Sequence, residues 1–90
     1  MDRARASAIA QIERALRDTL DEINDRVGNG AGRSTVSELV RHARELANLL
    51  DQAVGRLESD ADAENARRAA GVLVGHLRAM EQRLAERTLQ

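Results

Sequence analysis

Apolar residues recur every three or four positions through nearly the whole chain, and this spacing most restricts what it can fold into. In the first third they stand at Ile9, Ile12, Leu16, Leu20, Ile23 and Val27. One face of an α-helix repeats at that interval, whereas a half-buried strand alternates every second residue. No proline interrupts the pattern anywhere in the 90 residues. The spacing predicts a first helix over 2–27. Opposite charges flank its stripe one turn apart, as in Glu13–Arg17, Arg14–Asp18, Arg17–Asp21 and Glu22–Arg26. Each exposed pair of this kind is worth about 0.2–0.5 kcal/mol.

The pattern breaks at Gly28-Asn29-Gly30-Ala31-Gly32. Glycine and asparagine tolerate positive φ and carry a helix poorly, so a turn is expected there. Thr35-Val36-Ser37-Glu38 then reads as a capping box, with Thr35 and Glu38 each satisfying the other's backbone N–H. A second helix is expected over 35–58. Val36, Ala43, Leu50 and Leu57 take heptad position a, and Leu39, Leu46 and Ala53 take position d. Val40, Ala47 and Val54 widen the stripe enough for a helix with two neighbours.

A second break is expected around Glu58-Ser59-Asp60, with Ser59 or Asp60 as N-cap of a third helix over 61–88. Asp62 and Glu64 suit its first turn, where negative charge meets the positive end of the helix dipole. Its seam is Ala63, Ala70, Leu77 and Leu84 at a, with Ala66, Leu73 and Met80 at d. In an antiparallel hairpin, a positions lie level with partner d positions. Leu50 with Ala66, Ala43 with Leu73, Val36 with Met80 and Leu39 with Leu77 all fit one register, whose turn centres on residue 58. A single unbroken helix is the alternative, and it would force dimerisation. The expectation is therefore one all-α domain over 1–90, an antiparallel three-helix bundle that oligomerises through helix faces.

Composition removes several functions. The chain has no cysteine, which excludes disulfides, thiolate catalysis and cysteine-held metal. It has no aromatic residue to stack on bases, and its net charge of −1 is balanced segment by segment. Direct nucleic-acid recognition is therefore not expected. No apolar run approaches the roughly 18 residues of a membrane span, and no signal-like segment opens the chain, so a cytoplasmic location is expected.

Candidate chemistry is sparse. Gly28–Ser34 superficially resembles a phosphate loop, but Arg33 stands where lysine is needed and a helix precedes it in place of a strand. What remains is a generic anion site near Arg33 and a helix N-terminus. His42 and His76 both fall at heptad g, and the register above sets them at one height on one edge of the hairpin. Glu38 and Glu45 lie one turn either side of His42. Two histidines and a carboxylate are ligands for zinc or a similar ion. Packing at the seam edge is the competing reading, and no cofactor is expected. His42-Ala43-Arg44-Glu45 lacks the order found in di-iron bundles, and the small residue expected after a phosphorylatable histidine.

Gly71-Val72-Leu73-Val74-Gly75, continued by Ala79, is the least expected stretch. Interior glycine costs a helix about 0.5–1 kcal/mol against alanine. Small residues four apart let a second backbone approach closely. Gly71, Val72, Val74, Gly75 and Ala79 are the expected interaction face, received either by the first helix or by another molecule. The function expected is a non-enzymatic helical protein-interaction or self-assembly module, whose partner is a second copy or another helical protein. The alternative is a small metal- or ligand-responsive regulator using His42 and His76.

Overall fold

A computed structural model describes residues 3–57 and 61–89. Three helices account for nearly all of them: α1 (Arg3–Gly28), α2 (Arg33–Gly55) and α3 (Ala61–Leu89). They form a rod with extents of 45 × 19 × 16 Å. At about 1.5 Å per residue, α3 alone runs nearly the full length of that rod. All three pairs of helices touch, which makes a three-helix bundle. The pairing of α1 with α2 is the most extensive, and that of α1 with α3 the loosest.

The core follows the apolar spacing. Leu16, Ile23, Leu50 and Ala43 are wholly buried, as are nearly Ile9, Leu20, Leu73, Leu77 and Met80. On α2 the fully buried line is Val40, Ala43, Ala47, Leu50 and Val54, while Leu39, Leu46 and Ala53 are half-buried. Its stripe is thus centred between positions a and e, because α2 faces two neighbours at once. Thr19 is buried within the α1 stripe. Its hydroxyl donates to the Ala15 carbonyl at 2.8 Å, which satisfies the polar group one turn back along its own helix.

The α1–α2 connection forms where the glycines predict it. Ala31 N–H donates to the Arg26 carbonyl at 2.9 Å and Gly30 N–H to the Val27 carbonyl at 3.2 Å. That pair of bonds is a Schellman motif, whose turning residue needs a left-handed backbone. Gly30 supplies it, with φ of 76°. The expected capping box is not formed. Gly32 is the N-cap of α2, has an extended backbone and offers no side-chain hydrogen bond. The Schellman turn is complete by Ala31, so the chain is free to become helical at Arg33. Thr35 then lies inside the first turn, where its side chain is not placed to cap.

The other helix end also differs from expectation. α2 stops at Gly55, and Leu57 leaves the helix and folds into the core. The expected caps Ser59 and Asp60, with Glu58, lie outside the described residues. Arg67 donates from Nη2 to the Leu57 carbonyl at 2.9 Å, tying α3 back to the end of α2. Farther along, Arg44 Nε pairs with Glu81 Oε1. Neither contact is within reach of the expected register. With Ala43 level with Leu73, Glu81 would stand about 13 Å along the axis from the level of Arg44.

A slide of one heptad reconciles them. It sets Leu50 level with Leu73, Leu46 with Leu77, Ala43 with Met80 and Leu39 with Leu84. Heptad periodicity alone cannot separate two registers that differ by seven residues, since both match a with d. The slid register places Leu50, Leu46 and Leu39 each opposite a leucine, where the original gave that only to Leu39. Val40 and Leu84 line one surface groove, which agrees with it.

Candidate interaction face

The residues expected to form one face on α3 divide between two edges of the helix. Val72 and Val74 are two positions apart, hence about 200° apart around the helix. Val74 turns inward and packs, half-buried, against the core. Val72 turns outward and is 57% exposed. Gly71, Gly75 and Ala79 are exposed on the outward side with it. The face is therefore Gly71, Val72, Gly75 and Ala79, and Val74 belongs to the core. A Cβ built on Gly71 or Gly75 meets nothing within 4 Å. Close approach of α1 does not explain these glycines, because among the described residues no atom of another helix lies within 4 Å of that Cβ.

Beside this face the bundle is open. A groove of about 620 Å³ separates α1 from α3, as expected where the two helices touch least. Leu20, Leu73 and Met80 form its apolar floor, and Val72 and Ala79 stand on its α3 rim. Arg17, Asp21 and Asn24 line the α1 rim. The rim carries both signs of charge, with Arg83 added on the α3 side, so it does not select a strongly charged ligand.

His76 also lines this groove, facing α1 and not α2. The heptad slide separates it from His42 by about 10 Å along the axis. His42, Glu38 and Glu45 are exposed on α2. Among the described residues, no three histidine, aspartate or glutamate side chains gather where they hold a metal ion. The expected pairing of His42 with His76 at one height is thus corrected by the same slide that corrects the seam.

A second groove, of about 450 Å³, lies at the loop end between α2 and the later part of α3. Val27, Val36, Val40 and Leu84 give it apolar walls, while Arg33 and the Arg44–Glu81 pair supply its charge. The generic anion site near Arg33 falls here. Arg33 is exposed, and Arg44 is already engaged with Glu81.

Three features escaped the sequence pattern. Leu49 is 52% exposed, and its only signal was a leucine outside the a, d and e positions. Arg67 and Arg68 look like one basic pair, yet Arg67 turns in to the Leu57 carbonyl while Arg68 stays exposed. The α1–α3 groove had no sequence signal, because it arises from how far apart two helices settle.

The fold is that of a three-helix bundle. Comparison with protein families, curated proteins and solved structures finds no match to this chain. No described helix is long and apolar enough to cross a membrane.

Proposed function

We propose that this chain is a non-enzymatic helical interaction module that self-associates in the cytoplasm through the outward side of α3. The observation that carries the reading is Val72, more than half exposed beside an open groove floored by Leu20, Leu73 and Met80. A large apolar residue next to an apolar groove is a surface that gains by losing water, at about 25 cal/mol per Å² buried. The two α3 glycines support it, since they weaken the helix and have no packing role inside the chain. The small, aromatic-free core adds a reason, because a lone bundle of this size has little stability to spare. Balanced charge and the lack of aromatics argue for a protein partner in preference to nucleic acid or a membrane surface.

Sedimentation equilibrium across a hundredfold range of concentration tests the reading. The mass is expected to rise from the single-chain value of 9.9 kDa toward twice that figure. A mass fixed at the single-chain value over the whole range overturns it.

A further inference from the structure

The outward side of α3 carries a second pattern that the core seam does not use. Arg68, Val72, Gly75, Ala79, Gln82 and Glu86 are spaced four, three, four, three and four apart. That is a heptad stripe, and every one of its members is exposed. Leu73, Leu77 and Met80, which form the core seam, lie on the other side of the helix and are buried. α3 thus carries a second line of heptad spacing on the side turned away from the core it shares with α1 and α2.

The stripe is complementary to itself when reversed. An antiparallel copy whose two-fold axis passes at the level of residue 77 sets Gly75 opposite the copy's Ala79. The same placement sets Val72 opposite Gln82, and Arg68 opposite Glu86. Each pairing occurs twice, once on each side of the axis, as two-fold symmetry requires. The smallest side chains meet at the centre, where two helices crossing at close range need them. Opposite charges meet at both ends. Arg78 and His76, one residue either side of the axis, are both brought near their own copies. Arg78 is long and exposed, and Gln82 lies one turn along its own helix.

From this we infer that the occupant of the α3 face is a second copy of the chain, docked α3 against α3 in antiparallel fashion with Arg68 paired to Glu86 of the other copy. The inference rests on the self-association proposed above and gives it a geometry. The dimer holds two equivalent ion pairs flanking a centre built from Gly75 and Ala79. Val72 and the α1–α3 groove lie alongside that centre, so docking withdraws Val72 from water. The end pairs also fix direction: a parallel copy would set Arg68 against Arg68 and Glu86 against Glu86. Like charges so placed disfavour that arrangement.

The test uses the full chain in sedimentation equilibrium, with R68E, E86R, the exchanged double variant R68E/E86R, and G75L. Each single charge reversal is expected to weaken the dimer about tenfold, from the loss of two exposed pairs and the repulsion that replaces them. The exchange restores opposite charges at both ends and is expected to return the association to within about twofold of wild type. These reversals leave the helix sound, because glutamate and arginine are both good helix formers and both positions are exposed. G75L is expected to abolish the dimer while raising the melting temperature of the monomer. Its side chain has open space in the single chain and replaces a residue that weakens helices.

A wild-type dimer indifferent to R68E, E86R and G75L overturns this docking while leaving self-association standing. Weakening by both single reversals without rescue by the exchange overturns the Arg68–Glu86 pairing. A wild type that stays at the single-chain mass overturns the self-association itself.

Discussion

The seam between α1 and α2 and the outward side of α3 use the same residue types for opposite ends. At the seam, Leu16, Ile23 and Leu50 are wholly buried, and a glycine with φ of 76° closes the turn. On the outward side of α3, Val72 is 57% exposed, and the glycines sit in ordinary helical backbone with space around them. Gly30 is therefore demanded by the conformation of the turn. Gly75 has no such demand from its backbone or from any described neighbour. In the docking proposed above, the neighbour that Gly75 serves is a second copy of the chain.

The largest expected effect lies at the seam. Leu50→Ala should remove about 3 kcal/mol of stability in urea unfolding, as lost transfer energy and a cavity that cannot fully collapse. Val72→Ala, measured on dilute single chains, should change stability by less than about 0.5 kcal/mol. Comparable losses from the two substitutions would break the distinction between a packed seam and an uncovered face.

The glycines sharpen it next, because the two regions should respond with opposite signs. Gly30→Ala should destabilise by about 1 kcal/mol, since alanine at positive φ is strained. Gly75→Ala should stabilise the single chain by about 0.5–1 kcal/mol, since alanine is the better helix former and its Cβ meets nothing. Thermal unfolding of both variants at low concentration reads the two signs directly.

The sequence was most legible where local chemistry has one solution. Apolar spacing places the three helices and nearly all of the buried residues, because burial of a stripe admits few alternatives. Gly30 marks its turn for the same reason. Legibility failed where periodicity repeats itself. The helical hairpin reads equally well in two registers one heptad apart, and with the register went the placement of His42 beside His76. It failed again at Thr35, a good capping residue bypassed because the preceding turn ended early. On α3 the small residues were visible but their grouping was not. Val74 and Val72 flank Leu73 in sequence, yet the helix carries one to the core and leaves the other in water.

The smallest expected effect bears on that register. Arg44 and Glu81 pair across the hairpin with the arginine side chain 63% exposed, so solvent screening leaves the pair worth about 0.5 kcal/mol. A double-mutant cycle isolates that coupling from whatever else each substitution disturbs. R44E and E81R should each weaken the fold slightly, and the exchanged double variant R44E/E81R should recover most of the loss. In the register expected from spacing alone, the two residues are about 13 Å apart along the axis and the cycle should show no coupling. Raising the salt to about 1 M shortens the screening length to about 3 Å and should erase the coupling if it is electrostatic. A coupling that survives high salt would mean that the two side chains matter through packing of their stems. Zero coupling at low salt would remove this ion pair as support for the slid register and leave the groove shared by Val40 and Leu84 to carry it.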